Sequence, residues 1–287
     1  LKPGTAVVLG GTWRVPVLME LLDKNFVKDL KADGTFNETS FAREYESIWS
    51  GSAEDAFFNS DMFDKHREIK QPEYEYSGRS TKDSYYLLSV DVGRIGCSSV
   101  VCVFKVIPQP EGNSIKKLVN MYTFDEEHMG IQALRIKSLF YKYKAKAVVI
   151  DGNGLGVGLI DFMVIKSIDE ATGDEYPAFD VINDTEGLYK KFKTVDSEKE
   201  AIYIIKANAP LNTEIHSNCS AQINAGKVKF LEDERFAKSK LLGTKVGENM
   251  TPEQRAEYLR PFTLTSILKE EMMNLREEHD GVNIILK

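Results

Sequence analysis

Three apolar runs that follow one another closely in the middle of the chain constrain its fold more than any other feature. They span residues 86–91, 98–107 and 116–124, and they are rich in the β-branched and aromatic residues that favour strands. Their connections are short: a glycine-containing turn, and then the sequence PQPEGNS at 108–114. Strands joined so closely along the chain predict an antiparallel meander.

The elements that follow the meander predict a mixed sheet. Apolar spacing at 130–144 predicts a helix that leads into a buried strand at 146–151, and the glycines after this strand lead into a second helix at 152–165. A further strand is predicted at 178–183. The order β-β-β-α-β-α-β is the layout of the ribonuclease H-like α/β fold, in which three antiparallel strands are joined by a helix to parallel strands, with helices on both faces. The actin-like ATPase fold begins with the same order of elements.

The remainder of the chain is predicted to be mainly helical. Residues 212–225 and 264–279 have helical patterns, and 227–231 resembles a short strand. The segment 238–255 contains Gly, Thr and Lys and is predicted to be a mobile loop, whereas 281–287 resembles a strand.

The sequence before the meander predicts a separate N-terminal unit. Residues 1–65 contain a β-type run that ends in Gly-Gly-Thr and an amphipathic, helix-like stretch at 18–30. Residues 66–84 are polar and read as a linker, so we place the second domain at 85–287. Because the first residue is Leu1, we expect the chain to be a piece of a longer protein.

Composition excludes some classes of protein. The chain of 287 residues is 42% hydrophobic and 28% charged, values typical of a soluble globular protein, and it contains no apolar run long enough to cross a membrane. Its three cysteines, an odd number, indicate a reducing compartment. The net charge of −7 excludes a uniformly basic surface but leaves room for a local basic groove that binds DNA.

Two of the predicted strands end in an aspartate with a glycine one or two residues later. Asp91 lies in SVDVG and Asp151 lies in VVIDGNG. If the two strands are neighbours in the sheet, their carboxyl ends open into one crevice and the carboxylates meet there. Adjacent carboxylates repel each other unless a proton or a cation lies between them, and hard oxygen ligands suit Mg²⁺ or Mn²⁺. The alternative is that each aspartate is simply a turn residue at a strand end.

Several motifs resemble, in their order, the large terminase subunit of tailed bacteriophages, which drives DNA packaging. LLSVDVGRIG at 87–96 resembles its first nuclease motif, and VVIDGNGLGVGLIDFM at 148–163 resembles the second. Upstream, VVLGGT at 7–12 resembles the coupling motif of the ATPase domain, and the sequence at 41–58 resembles the segment that closes that domain.

The resemblance implies a ribonuclease H-like endonuclease that cuts concatemeric double-stranded DNA with two divalent metal ions, Mg²⁺ or Mn²⁺. Asp91 and Asp151 would then be catalytic metal ligands, and residues 1–65 would be the C-terminal remnant of the ATPase domain. The implied partners are double-stranded DNA and, in the longer protein, the portal, the small terminase subunit and other copies of the large subunit. The implied location is the host cytoplasm, without a membrane.

The chain departs from this family in two respects. It contains no phosphate-binding GxxxxGK[ST] loop, so we expect no ATPase activity from it. The family also implies a third acid on a late helix, and the candidates are Asp280, Glu277, Glu278 and the cluster EDE at 232–234. Asp280 is the best candidate within the chain for a third catalytic metal ligand, and the alternative is a third acid beyond Lys287.

Basic side chains that could contact DNA lie in two places. Arg94 follows the first acid closely and could contact the scissile phosphate. Lys190, Lys191 and Lys193 are interleaved with aromatic residues, a pattern that suits phosphate contacts flanked by stacking. An ordinary solvated surface would give the same patterns.

Two other functions remain open at this stage. An actin-like kinase or ATPase would use the turn after Asp91 as a phosphate-binding hairpin, but it needs a second such hairpin and a late Gly-Gly motif. A non-catalytic module that grips DNA would retain the acids for folding alone.

Overall fold

A seven-stranded mixed sheet is the centre of the described part of the chain. The computed structural model describes residues 11–23, 25–28, 45–46, 56–78, 83–93, 96–110, 112–192, 199–280 and 283–286. The strands are β1 (Tyr85–Asp91), β2 (Ser98–Ile107), β3 (Ile115–Asp125), β4 (Ala147–Asp151), β5 (Ser167–Ile168), β6 (Glu175–Tyr176), β7 (Phe179–Val181), β8 (Lys199–Ile205), β9 (Val228–Lys229), β10 (Glu277–Asp280) and β11 (Asn283–Leu286). The α-helices are α1 (Arg14–Leu18), α2 (Ser60–Asp64), α3 (Met129–Lys142), α4 (Leu155–Met163), α5 (Ala209–Asn224), α6 (Glu234–Leu242), α7 (Lys245–Asn249) and α8 (Pro252–Asn274). No helix within these ranges combines the length and the apolar composition that a bilayer span requires.

The strand order confirms the predicted fold class. The sheet runs β7-β8-β4-β1-β2-β3-β9. Strands β1, β2 and β3 form the antiparallel meander, and β4, β8 and β7 continue the sheet parallel to β1. This is the ribonuclease H-like arrangement of three antiparallel strands followed by parallel ones.

Alternating burial along the strands gives the sheet two faces, and helices cover both. The first face packs against α3 and α4 in an apolar core whose members include Leu88, Val148, Ile150, Ile136, Phe140 and Leu159. The second face packs against α2, α5 and α8, with Leu118, Met121, Phe63, Ile223, Leu264 and Leu268 among the contacts. Asp91 and Asp151 lie on this second face, because they alternate with the buried Val90 and Ile150.

Helix α3 shows how the local sequence decides an element. Met129, Ala133, Ile136 and Phe140 recur at helical spacing, and all four are buried against the first face. The helix begins after His128, whose ring nitrogen accepts a hydrogen bond from the amide of Gly130 at 3.1 Å. Apolar spacing and a polar cap therefore agree, and the predicted helix at 130–144 is confirmed.

In the second half of the chain two predicted elements are wrong and one strand is not predicted. Strand β8 has no counterpart in the sequence analysis, although its run AIYII at 201–205 is apolar and β-branched. The predicted loop at 238–255 is instead largely helical. It contains the end of α6, all of α7, which Thr244 caps, and the start of α8, where Thr251 and Gln254 form a capping box before Pro252. The helix predicted at 264–279 ends at Asn274, and a hairpin follows it.

The amphipathic stretch predicted as helical at 18–30 is also not one helix. Helix α1 ends at Leu18, and Leu18 and Leu21 are largely exposed in the turns that follow. Helical spacing alone does not produce a single helix at 18–30, because no apolar partner among the described residues buries these side chains.

The segment predicted as a linker makes specific contacts with the sheet where the structure describes it. The amide of Ile69 donates to the carbonyl of Phe230 at 2.9 Å, and the amide of Glu73 donates to the carbonyl of Val119 at 3.1 Å. The carboxylate of Glu73 also forms a 3.0 Å ion pair with the buried Lys105. The division of the chain at 1–65, 66–84 and 85–287 stays a prediction, but residues 66–78 are part of the folded unit.

Candidate active site

The two predicted acids end neighbouring parallel strands in matching register. Val90 of β1 pairs with Ile150 of β4, so Asp91 and Asp151 are the next residues on the two strands. Neighbouring strands lie about 4.8 Å apart, and residues in register point to the same side of a sheet. Both aspartates are exposed at the carboxyl end of the sheet. The structure therefore brings together the two acids that the sequence singled out.

A cleft of about 330 Å³ opens over these acids. Strands β1, β4 and β8 form its floor, and the start of α5 forms its wall. The residues that line the cleft are Ser89, Val90, Asp91, Val149, Asp151, Ile205, Ala207, Asn212 and Ile215. Two carboxylates, a serine and an asparagine thus share an otherwise apolar cleft, which gives oxygen ligands on one side and low polarity on the other.

A buried polar network holds the turn that follows Asp91. The Ser99 hydroxyl accepts a hydrogen bond from the amide of Gly93 at 2.8 Å, and it also contacts the Gln132 side chain at 2.6 Å. Gln132 in turn donates to the carbonyl of Glu127 at 2.8 Å. Gly93 leaves no room for a side chain, since an added Cβ would lie 2.4 Å from the carbonyl oxygen of Ser98. The backbone after Asp91 is therefore fixed by contacts from β2 and α3.

The turn after Asp151 is fixed in a different way. One Asp151 carboxylate oxygen accepts the amide of Asn153 at 3.0 Å, and the amide of Gly152 donates to the carbonyl of Ile205 at 2.7 Å. Helix α4 begins so close to the end of β4 that a Cβ on Gly156 would lie 1.7 Å from the carbonyl oxygen of Asp151. Glycine at 156 allows the strand to pass directly into the helix.

The donor set of the cleft fits a hard divalent cation. Within the described residues the Asp91 carboxylate has no hydrogen-bond or ion-pair partner, and the Asn153 amide uses one oxygen of Asp151. Burial, together with the Asp91 charge, raises the pKa of the neighbouring Cys102 thiol to about 12, so Cys102 is a neutral side chain. Carboxylate oxygens without cationic partners are the ligands that Mg²⁺ and Mn²⁺ prefer.

Asp280, the predicted third ligand, lies in a setting that the sequence did not predict. It is the last residue of β10 and pairs with Asn283 of β11, and this hairpin contacts α5 through Thr213 and Ile284. Asp280 is not among the residues that line the cleft. Across the described ranges, no group of three or more His, Cys, Asp and Glu side chains could hold a metal ion. The role of Asp280 stays a prediction, without a contact to support it.

The predicted DNA-contacting residues are only partly described. Lys190 and Lys191 are exposed on a single turn of 3-10 helix at Lys190–Phe192. Arg94 and Lys193 lie outside the described residues. All four roles stay predictions.

A second hollow continues from the acid cleft and was not predicted. It has a volume of about 480 Å³ and shares Ile205 and Ile215 with the cleft. We call it the side groove, and its lining residues are Val181, Asn183, Asp184, Thr185, Glu186, Leu188, Tyr189, Tyr203, Ile204, Ile205, Lys206, Leu211 and Ile215. The sequence signal that could have found its floor is the run AIYII, which also defines β8.

The geometry after Asp151 bears on the actin-like alternative. That alternative needs a second phosphate-binding hairpin, which would have to form at DGNGLG. The structure has a helix here, because α4 begins at Leu155. The arrangement is therefore that of the ribonuclease H-like alternative.

Comparisons with known proteins give similar structures but no similar sequences. No protein-family model matches the chain, and no curated protein matches it. The large terminase nuclease from thermophilic phage G20c with bound magnesium is similar in structure, with 15% identity and a TM-score of 0.41 over 82% of this chain and 88% of that chain. The large terminase nuclease domain of Thermus phage P74-26 has 14% identity and a TM-score of 0.38 over 79% of this chain and 82% of that one. The large terminase nuclease domain of P22 has 13% identity and a TM-score of 0.31 over 69% of this chain and 90% of that one.

Proposed function

We propose that the chain is a divalent-metal-dependent endonuclease that cuts double-stranded DNA during the packaging of a viral genome. One observation carries the proposal: Asp91 and Asp151 end adjacent parallel strands in register, within one open cleft. The order of the motifs, which resembles that of large terminase subunits, supports it. A turn role for each aspartate explains neither the shared cleft nor the absence of a cationic partner for Asp91 within the described residues.

The proposal gives each predicted site residue a role. Asp91 and Asp151 would hold Mg²⁺ or Mn²⁺, two ions in all, and the bound metal would supply an activated water and charge stabilisation for the leaving oxygen. The Ser99–Gln132 network and the turn at Gly152 would keep the two carboxylates at their spacing. The exposed Lys190 and Lys191, with Arg94 and Lys193, would contact phosphates. Sequence specificity is not expected, because phosphate contacts carry no base information.

The setting of the reaction is part of the same proposal. The resemblance implies that a longer protein would act with the portal, the small terminase subunit and other large-subunit copies in the host cytoplasm. Asp280 would be the third acid of the metal site.

Plasmid cutting tests the proposal directly. Supercoiled plasmid is incubated with the protein in Mn²⁺ or Mg²⁺, and nicked and linear products are quantified for wild type, Asp91→Asn and Asp151→Asn. Both variants are expected to lose at least about 100-fold in rate, because direct ligands matter more than the outer contacts whose loss costs about 10- to 100-fold.

Asp161→Asn is the matched control, since Asp161 is an exposed acid on α4 that lies within the second motif but does not line the cleft. It should cut at the wild-type rate. Robust cutting by both active-site variants would refute the metal assignment.

A module that grips DNA without cutting it is the second candidate. It is favoured by one observation, namely that no three acids cluster within the described ranges. Retarded migration of DNA by a wild-type protein that cuts nothing in Mn²⁺ would support this candidate.

A further inference from the structure

The side groove contains an aromatic residue, Tyr203, that is not part of the apolar core. Tyr203 lies on its floor with 44% of its surface exposed, although it is in the middle of a strand that has parallel neighbours on both sides. Leu188, Leu211 and Ile215 form apolar walls around it. A half-exposed tyrosine between apolar walls offers a flat face for stacking.

The side groove borders the acid cleft, with Ile205 and Ile215 lining both, and the register of the strands fixes how the two lie. Tyr203 pairs with Val149, and Ile205 pairs with Asp151. Tyr203 therefore lies on the same face as Asp151, one strand away and set back from it by two residues, or about 7 Å along the strand. Lys206, which is exposed, follows Ile205 at the strand end where the acids lie.

The charges that line the groove indicate which part of a ligand it can take. Lys206 is the cation among the lining residues and follows β8, and the two carboxylates, Asp184 and Glu186, lie in the loop after β7. Asp184 accepts the amides of Leu188 and Tyr189 at 2.8 and 2.9 Å, so its carboxylate is fixed in place. A phosphate is therefore attracted to Lys206 and repelled by the two carboxylates, so the rest of the groove suits an uncharged, flat group.

We propose that the side groove is a subsite for one unpaired nucleobase of the DNA strand that is cut, with Tyr203 as its stacking platform and Lys206 as a contact to the adjacent phosphate. The inference rests on the proposed nuclease function, and it adds a positioning role for a base next to the scissile phosphate. Taking a base out of the duplex is least costly where the base is already unpaired. The protein should therefore prefer DNA that carries an unpaired base.

The test compares two short duplexes that each contain a single 2-aminopurine. In one duplex this base is paired, and in the other it is unpaired. Affinity and fluorescence are measured in Ca²⁺, with the full chain. The unpaired duplex should bind at least about fivefold more tightly, and its fluorescence should be quenched by stacking. Tyr203→Ala should abolish both effects, whereas Tyr203→Phe should retain them because stacking needs only the ring.

Tyr74→Ala is the matched control, because Tyr74 is 39% exposed and lies outside the groove. It should behave as wild type. Equal affinities for the two duplexes, or an unchanged preference in Tyr203→Ala, would overturn the subsite while leaving plasmid cutting intact. If wild type neither binds nor cuts DNA, the nuclease proposal fails as well. Light scattering distinguishes a further outcome: a dimer that Tyr203→Ala converts to monomer, with DNA binding unaltered, would make the groove an interface between copies.

Discussion

Replacing Asp91 with asparagine should stabilise the metal-free protein while removing its response to metal. Asp91 is the better of the two acids to change, because among the described residues it has no hydrogen-bond partner to lose, whereas Asp151 accepts the amide of Asn153. Two unit charges about 4.8 Å apart repel each other by about 0.9 kcal/mol in water and by about 3.5 kcal/mol at an effective dielectric constant of 20. Both carboxylates are exposed, so the lower figure applies.

Asp91→Asn should therefore raise the unfolding free energy by about 1 kcal/mol in EDTA, which corresponds to about 2 °C in Tm for a chain of this size. With Mn²⁺ at 100 times its Kd, wild type should gain about 2.7 kcal/mol and the variant close to none. The assay is urea or thermal unfolding in EDTA and across a Mn²⁺ titration, with Asp161→Asn as the control. A variant that is less stable than wild type in EDTA, or that keeps the full Mn²⁺ response, would refute the shared-cation argument.

The remaining predictions concern the residues that hold the site and one buried lysine. Gln132→Leu removes a partner of the buried Ser99 hydroxyl, so it should destabilise the fold by about 1–3 kcal/mol in urea unfolding and weaken Mn²⁺ binding in calorimetry; unchanged values for both would contradict the network. Gly156→Ala should lower the free energy of unfolding by about 3 kcal/mol or more, because its Cβ would clash with the Asp151 carbonyl. Gly158→Ala, whose Cβ would meet no atom within 4 Å, should raise the free energy of unfolding by about 0.5–1 kcal/mol, and urea unfolding of both variants checks the pair. Burial lowers the pKa of the Lys137 amine from 10.5 to about 8, so between these values the unfolded chain binds more protons and stability should rise with pH. Between pH 8 and 10.5 the free energy of unfolding, measured with urea, should rise by up to about 3 kcal/mol. Lys137→Met should remove this rise with pH.

The meander and the strand that ends in Asp151 could be predicted because their signals are local. Each is an apolar run bounded by turn residues, and burial in the structure follows that alternation. The N-caps of α7 and α8, Thr244 and Thr251, are equally local signals of helices within 238–255. Strand β8 is a different case. A short apolar run after a polar segment is compatible with more than one kind of secondary structure until the strands beside it in the sheet are known.

Local sequence is enough to show which strands end in an acid, because each of these strands is an apolar run with its own boundary residues. Tertiary structure alone decided that β1 and β4 are adjacent and in register, and that Asp91 and Asp151 therefore share one cleft. It also decided that β8, from a segment about fifty residues further along the chain, lies beside β4 and brings Tyr203 and Lys206 to the same edge. Pairing between distant segments depends on the packing of the whole sheet against its helices, and no local pattern encodes it.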